Sequence, residues 1–241
     1  MLNRVRHLDG CAVTALDGKV GRVRDVFFDD ARWTIRHLMV DTGSWLSGRA
    51  VLISPYAVRR PLGAAKDLEL RSTRSQVVRS PEVDAHAPVS RRSEMEVLDY
   101  YGYPSYWGAA GLWGMGDYPD FPPQAVAPMA TGIDLAAAPA ATDDGLLCSC
   151  AHVQGYVLHG RDGGIGHVDD FLFDEDSWAI RYFVIRTRDW WPGGTRVLVA
   201  TRWIRGIDWD GREVHAGLTR DQVKASMVYD DGSPVHRDYE A

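Results

Sequence analysis

The sequence predicts a mainly β protein: two tandem small antiparallel β-barrels, each closed by a short C-terminal helix and joined by an aromatic, Gly/Pro-rich connector. Three observations predict this fold: an internal repeat, short runs rich in β-branched and aromatic residues, and a helix-capping signature at the end of each copy. Residues 17–42 return 145 positions later as residues 162–187, with 11 of 26 positions identical. A repeat of this length indicates that a whole domain was duplicated.

Short apolar runs bounded by turn residues predict the strands of both copies. The expected strands lie near 11–15, 20–28, 34–42, 50–54, 56–60 and 67–71, and near 154–158, 165–173, 178–187, 195–200, 203–208 and 212–216. Asp-Gly pairs at 17–18 and 162–163 are typical of hairpin turns. Gly21 and Gly166 fall inside strand patterns, where a bulge or a barrel corner is the usual reason for glycine.

The ends of the copies and their central strands add two expectations. Thr73 with Gln76, and Thr219 with Gln222, have the spacing of a capping box, which predicts that a short helix closes each copy. Residues 35–40 and 180–185 almost lose the polar–apolar alternation of a half-exposed strand. Such a strand is expected between two packed layers, as in a barrel wall covered outside by a helix or a partner.

These signals divide the chain into four parts. The first barrel is expected at 1–81, the connector at 82–152, the second barrel at 153–229 and a C-terminal tail at 230–241. Within the connector a helix is expected at about 90–101. The Ala/Pro-rich stretch from 125 to 145 is typical of a flexible tether.

Composition and charge restrict the class of protein. With 45% hydrophobic and 25% charged residues, the chain has the composition of a soluble globular protein. Three cysteines, an odd number, favour a reducing cytoplasm over a disulfide framework. No signal peptide and no membrane span are recognised, so we expect a cytoplasmic protein without membrane insertion.

The net charge of −6 is unevenly distributed. Residues 1–81 carry 14 Lys/Arg and 8 Asp/Glu, whereas residues 82–150 carry 2 and 10, and residues 151–241 carry 11 and 15. A basic first copy can attract the acidic parts of the chain, or it can bind an external polyanion. Because its charges alternate in sign and form no run, we favour internal attraction and do not expect nucleic-acid binding.

Few residues suggest chemistry. Cys148, Cys150 and His152 are the weak candidates for a metal site, but a structural zinc site needs a fourth ligand that the sequence does not supply. Asp25 and Asp170, retained in both copies, are expected to accept backbone amides at a bulge or to pair with the retained Arg36 and Arg181. No catalytic triad, zincin, dinucleotide or phosphate-loop motif is found, so we expect no enzyme activity and no cofactor.

Exposed aromatic residues are the strongest interaction signal, because aromatic side chains are common anchors of protein interfaces. Trp45 lies in a loop of the first copy, and Trp190 and Trp191 lie in the corresponding loop of the second. The connector adds Tyr103, Tyr106, Trp107 and Trp113. Two interpretations of the connector residues remain: contact with another protein, or an internal clamp over the two barrels.

These motifs together resemble the PRC-barrel family, named for the cytoplasmic domain of the H subunit of photosynthetic reaction centres. The resemblance rests on the pattern from Asp17 to Asp29, the Trp33-Thr34-Ile35-Arg36 strand, the Trp45 to Arg49 loop and the helix after Thr73. The segment 88–113 resembles two-barrel bacterial proteins of this family that have no assigned activity. A ribosome-maturation factor carries the same domain, but this chain lacks that factor's N-terminal domain and the transmembrane helix of the H subunit.

The function that these features favour is a non-catalytic scaffold or adaptor that binds a protein partner or a second copy of itself. The resemblance implies two alternatives. One is an accessory role in the light reactions of photosynthesis, related to the H subunit. The other is association with RNA or the ribosome through the basic first copy.

Overall fold

A computed structural model describes residues 1–46, 48–59, 67–84, 88–107, 109–120, 146–187, 195–226 and 228–230. The strands are β1 (Leu2–Arg4), β2 (Ala12–Ala15), β3 (Gly18–Asp29), β4 (Thr34–Asp41), β5 (Ala50–Ile53), β6 (Asp67–Glu69), β7 (Cys148–Ser149), β8 (Val157–Gly160), β9 (Gly163–Asp174), β10 (Ile180–Arg186), β11 (Arg196–Ala200), β12 (Ile204–Asp208) and β13 (Glu213–Ala216). The helices are α1 (Arg74–Arg79), α2 (Arg91–Tyr101), α3 (Cys150–Val153) and α4 (Arg220–Lys224).

The protein is mainly β, as the sequence predicts, and its strands form two sheets. The first sheet has the order β5-β4-β3-β2-β6, and the second has the order β11-β10-β9-β8-β13-β12. Most neighbours are antiparallel, but β2 and β6 are parallel, and so are β8 and β13. Within the described residues neither order returns to its first strand, and closed barrels are not detected. An antiparallel bridge between Val58 and Leu70 does connect the chain after β5 with the chain after β6.

The repeat in the sequence is also a repeat in strand register. Ala12 pairs with Arg22 in the first sheet, and the residues 145 positions later, Val157 and His167, pair in the second. The register shift of β3 between Val23 and Asp25 recurs between the corresponding residues of β9. The duplicated sequence therefore encodes a duplicated pairing pattern, including its irregularities.

Both expected capping boxes are present. The Gln76 backbone N–H donates to Thr73 Oγ1, and the Thr73 backbone N–H donates to the Gln76 side-chain oxygen. Thr219 and Gln222 make the same reciprocal pair at the start of α4. Each copy therefore ends in a short helix where the sequence predicts one.

Two expected strands differ in part from the structure. The strand expected near 154–158 is found as β8, Val157–Gly160. The one expected near 56–60 begins with a 3-10 turn, Pro55–Ala57, after which Val58 bridges Leu70, and residue 60 lies outside the described residues. Ser54 caps this turn by accepting a hydrogen bond from the Tyr56 N–H, and the proline occupies the first helical position, which suits its fixed φ. The second copy has a 3-10 turn at the corresponding place, Thr201–Trp203, before β12 begins.

Two strands that the sequence analysis missed connect the halves. Strand β1 precedes the first copy but pairs with β9 of the second, with Arg4 opposite Leu172. Strand β7 precedes the second copy but pairs with β3 of the first, with Ser149 opposite Phe27. Each half thus contributes a leading strand to the sheet of the other half. The expected boundaries at 1–81 and 153–229 therefore cut across both sheets.

The core is continuous across the two halves, and the helix expected at about 90–101 is found as α2. Side chains of both copies, such as Phe28 and Phe171, belong to one buried cluster. A second cluster joins Val97 of α2 to Met39 and Leu52 on the outer face of the first sheet. This cover explains why every residue from 34 to 40 is buried. No helix in the described ranges is long and apolar enough to cross a bilayer.

Candidate functional site: the joint between the two halves

The two halves meet at a point where a residue pairs with its own counterpart. Thr34 and Ala179, which are 145 positions apart, form an antiparallel bridge. The Ile35 N–H donates to the Trp178 carbonyl at 2.9 Å, and the Ile180 N–H donates to the Trp33 carbonyl at 2.7 Å. The two hydrogen bonds are counterparts of each other, and the central pair joins two equivalent residues. The halves are therefore related in the same way as the subunits of a two-fold symmetric dimer.

The backbone on each side of this bridge has an unusual conformation. Trp33 and Trp178 have φ values of 51° and 57°, a region that bulky residues rarely adopt. Trp178 is fully buried and stacks on Phe173 at 5.4 Å between ring centroids. Trp33 lies 5.3 Å from Phe183 of the other half. The same strained turn is thus held by aromatic packing in both copies.

Asp25 and Asp170 fasten the exchanged segments. Asp25 accepts hydrogen bonds from the Val26 N–H at 2.7 Å, from Ser149 Oγ at 2.6 Å and from the Ala151 N–H at 3.3 Å. Ser149 and Ala151 belong to the segment that comes from the second copy. The retained aspartate in β3 therefore accepts an amide at the bulge, as expected, and also anchors the β7–α3 segment.

Asp170 makes the corresponding contacts with the N-terminal segment. It accepts from the Phe171 N–H at 2.8 Å, from Arg4 Nε at 2.6 Å and from the Arg6 N–H at 3.2 Å. Arg4 and Arg6 occupy the positions equivalent to Ser149 and Ala151. Asp170 is fully buried, so this ion pair lies inside the protein. The alternative expectation was that the two aspartates pair with Arg36 and Arg181. Among the described contacts Arg36 pairs with Asp29 instead.

The second half carries additional charge at this joint. Asp169 forms ion pairs with Arg196 at 2.9 Å, with Arg4 at 3.6 Å and with Arg6 at 3.7 Å, and a further one with Arg186. The first half has Arg24 at the equivalent position. Attraction between the basic N-terminal segment and the acidic second copy is therefore found within the chain.

Gly21 and Gly166 allow close approach of neighbouring backbone in each half. A Cβ atom at Gly21 would lie 2.0 Å from the Asp41 carbonyl oxygen, and one at Gly166 would lie 2.3 Å from the Arg186 carbonyl oxygen. Both contacts are with β4 or its equivalent β10, at the end of the paired region. The glycines expected at a bulge or corner are therefore required by backbone proximity.

The connector clamps the first half at Arg36, whose side chain is fully buried. Arg36 donates to the Leu112 carbonyl at 2.6 Å, pairs with Asp29 at 2.9 Å and stacks on the Tyr106 ring at 3.5 Å. Burial lowers the pKa of this guanidinium, while Tyr106 and Asp29 oppose the change. Its counterpart Arg181 is only half-buried, so the clamp is a feature of one half alone.

Trp113 extends the clamp to the other half. Its indole Nε1 donates to the Ser177 carbonyl at 2.7 Å, and its ring packs edge-on against Tyr56 at 5.0 Å. Trp113 and Tyr106 are each 3% exposed, whereas Tyr103 and Trp107 are half-buried. Burial removes Tyr106 and Trp113 from any surface that contacts another protein. The connector aromatics were expected either to contact another protein or to clamp the two halves internally. Tyr106 and Trp113 act as the internal clamp.

A buried polar network lies beneath the clamp. Glu94 of α2 is fully buried and accepts from the Tyr106 hydroxyl at 2.9 Å. It also pairs with Arg91 at 2.9 Å and approaches His37 Nε2 at 3.4 Å. The desolvation of these charges is offset by mutual pairing, which fixes how α2 sits on the first sheet.

The loop tryptophans lie at the limit of the described residues. Trp45 is in a 3-10 turn, Gly43–Leu46, between β4 and β5, and Trp190 and Trp191 lie outside the described residues. A groove of about 670 Å³ lies beside the first loop. Its lining includes Leu46, Arg49, Ala50 and the segment 82–84 after α1. A smaller cavity of about 260 Å³ lies between the exchanged segments beside Asp25.

The cysteine-rich segment contains two free thiols. Cys148 and Cys150 are buried, and this burial raises the pKa of each thiol well above the usual range for cysteine. Among the described residues the only group of three metal-binding side chains within 4.8 Å of one another is Asp208, Glu213 and His215. The weak candidate of Cys148, Cys150 and His152 is therefore not assembled. Cys11 is also a buried free thiol.

No protein-family model and no curated protein matches this chain. The retained residues Asp25 and Asp170 were found from the repeat, but their partners Arg4 and Ser149 were not. The signal for the partners exists only when the residues that precede each repeat are aligned, because Arg4 and Ser149 are also 145 positions apart.

Proposed function

We propose that the protein is a non-catalytic scaffold of two PRC-like domains, which presents the loops around Trp45 and Trp190-Trp191 to a protein partner or to a second copy of the chain. One observation carries this proposal. The aspartates and threonines at Asp17/Asp162, Asp25/Asp170 and Thr42/Thr187 make equivalent structural contacts in each half, so they serve the fold and leave interaction as the function of the variable loops.

Contacts outside the joint follow the same rule. Asp17 accepts from the Arg74 N–H at 2.6 Å, and Asp162 accepts from the Arg220 N–H at 3.0 Å, so each aspartate holds the helix of its own copy. The Thr42 hydroxyl donates to the Arg49 carbonyl, and the Thr187 hydroxyl donates to the Thr195 carbonyl; each acceptor is the residue just before the next strand. These residues act as supports for folding, which is why duplication preserved them.

The position of the loops supports a role in binding. They join β4 to β5 and β10 to β11, and β5 and β11 are the terminal strands of the two sheet orders. The two-fold relation makes the strands that flank these loops, β4 and β5 in one half and β10 and β11 in the other, equivalent. The groove beside the Trp45 loop combines apolar Leu46 and Val83 with charged Arg49 and Glu82, a composition suited to a polar-rimmed protein contact.

The resemblance to PRC-barrels and the clamp support a rigid scaffold. The exchanged strands and the connector fix the two halves against each other, so the described strands that flank the two loops keep a constant spacing. A partner that contacts both loops gains from this preorganisation, because little conformational freedom is lost on binding.

Substitution of the loop tryptophans tests the proposal. We expect Trp190→Ala/Trp191→Ala to lose self-association in sedimentation velocity, or to lose capture of its native partner, without loss of thermal stability. The matched control is Trp203→Ala/Trp209→Ala, which removes two tryptophans that are 40% and 42% exposed in the same half. Trp45→Ala tests the first loop separately. Association that survives in the loop variants, or that is lost equally in the control, contradicts the proposal.

A further inference from the structure

Four metal-binding side chains lie on one face of the second sheet. His215 and Glu213 are two residues apart on β13, so they point to the same side. His159 of β8 is the register partner of His215, and Asp208 of β12 is the register partner of Glu213. The three adjacent strands thus bring two imidazoles and two carboxylates together.

The distances suit one ion. Glu213 Oε1 lies 3.3 Å from His159 Nε2, and Glu213 Oε2 lies 3.7 Å from His215 Nε2. Ligand atoms of Asp208, Glu213 and His215 all lie within 4.8 Å of one another. Two donors at 2.0–2.1 Å from a tetrahedral ion are about 3.3 Å apart, so the observed spacing needs only small side-chain movements.

The surroundings orient the ligands. Asp208 Oδ1 accepts from the Asp210 N–H at 3.1 Å and from the Gly211 N–H at 3.0 Å, which fixes the carboxylate in the β12–β13 turn. Such outer contacts are typical of metal ligands, because they hold the donor atom in place. The side chains of His159, Glu213 and His215 are 34–49% exposed, so an ion can reach them from solvent.

We propose that Asp208, Glu213 and His215, assisted by His159, bind a divalent transition-metal ion of the Zn²⁺ class. Imidazole nitrogen with carboxylate oxygen favours Zn²⁺ and its first-row neighbours over Mg²⁺ and Ca²⁺, which prefer all-oxygen sites. The simpler interpretation is a pair of exposed His–Glu contacts without an ion, and such contacts contribute little on their own.

The first half provides an internal comparison. The residues at the positions of His159, Glu213 and His215 are Thr14, Asp67 and Glu69. The strand pairing is the same in both halves, yet no imidazole is present in the first. The site therefore belongs to the second half, and we expect one ion per chain.

Calorimetric titration of the full chain with Zn²⁺, under reducing conditions, tests this proposal. We expect one Zn²⁺ per chain, a higher melting temperature with Zn²⁺ present, and visible ligand-field absorption when Co²⁺ replaces it. In His159→Ala/His215→Ala the affinity is expected to fall by more than about a hundredfold. The matched control His152→Ala removes an exposed histidine of the unassembled cysteine segment and should bind as the unaltered chain does.

Two results overturn the proposal. One is the absence of stoichiometric Zn²⁺ binding by the unaltered chain. The other is binding that persists in the double histidine variant, or that is lost in Cys148→Ala/Cys150→Ala, since either places the ion elsewhere. Circular dichroism of each variant confirms that it is folded, and His159→Gln/His215→Gln replaces the alanine variant if that one is not.

Discussion

Thr34 and Ala179 are the same position of the two copies, and they pair with each other across the joint. In a homodimer this arrangement would be the centre of an isologous interface. Here one chain supplies both sides, so the interface forms without dependence on protein concentration. The reciprocal strands β1 and β7 extend the same relationship, since each copy completes the sheet of the other.

The two aspartates of the joint should differ in their contribution to stability. We expect Asp170→Ala to lower the free energy of unfolding by about 3–5 kcal/mol, because it leaves the Arg4 guanidinium, which is 7% exposed, without its closest carboxylate. Asp25→Ala removes bonds to an uncharged hydroxyl and to amides, and should cost about 1–3 kcal/mol. Urea denaturation of both variants measures the difference. Equal losses would contradict the roles assigned to the two residues.

The connector clamp should depend on Trp113. Trp113→Ala is expected to cost about 3–5 kcal/mol, as truncation of a buried aromatic residue usually does. Trp113→Phe keeps most of the packing but loses the hydrogen bond to the Ser177 carbonyl, and should cost about 1 kcal/mol. Trp203→Ala, at an exposed position, serves as the control and should change stability by less than about 0.5 kcal/mol. A Trp113→Ala variant as stable as this control would rule out the clamp.

Two glycines of β9 that are separated by one residue offer a sharp comparison. Gly166→Ala places a methyl group against the Arg186 carbonyl and should cost about 2–3 kcal/mol. Gly164→Ala meets no heavy atom within 4 Å and should change stability by less than about 0.5 kcal/mol. Thermal unfolding of the two variants provides the measurement, and similar melting temperatures would show that β9 and β10 do not approach as described.

Stability should fall at alkaline pH in two stages. Burial raises the pKa of the Cys148 and Cys150 thiols, and it raises the pKa of Tyr56 and Tyr103 to about 12. The unfolded chain ionises first, at about 8.5 for thiols and about 10 for tyrosines, so protonation favours the folded state below these values and the advantage is lost above them.

Melting temperatures measured from pH 7 to pH 11 test this dependence. We expect a decline that begins near pH 8.5 and becomes steeper near pH 10. In Cys148→Ala/Cys150→Ala the first stage should disappear while the second remains. A melting temperature that stays constant through the thiol range would show that the cysteines are accessible in the folded protein.

Much of the fold follows from local sequence signals. Short apolar runs bounded by turn residues place most strands, and the capping boxes place α1 and α4, because each signal acts within a few residues. The strand expected near 56–60 begins with a 3-10 turn at Pro55–Ala57 and pairs only at Val58, because proline and aromatic residues are compatible with both a turn and a strand. Whether the sheets are open or closed depends on long-range pairing, which short patterns do not report.

The joint was harder to predict than the fold. Strands β1 and β7 have three and two residues, too few to show alternation, and their pairing depends on contacts more than 120 residues away. The burial of Tyr106 and Trp113 also could not be deduced, because aromatic residues suit both an interface and a core. The cluster at His159 and His215 requires the parallel register of β8 and β13, which only the folded chain reveals.

A cysteine pair at Thr34 and Ala179 tests the joint most directly. Their flanking hydrogen bonds make them a non-hydrogen-bonded antiparallel pair, whose Cα atoms lie about 4.5 Å apart, within the range of a disulfide. Thr34→Cys/Ala179→Cys should therefore oxidise within one chain, and peptide mapping should identify the 34–179 link, whereas each single variant should not acquire it. A folded double variant that keeps both thiols free under oxidising conditions would contradict the reciprocal joining of the two halves.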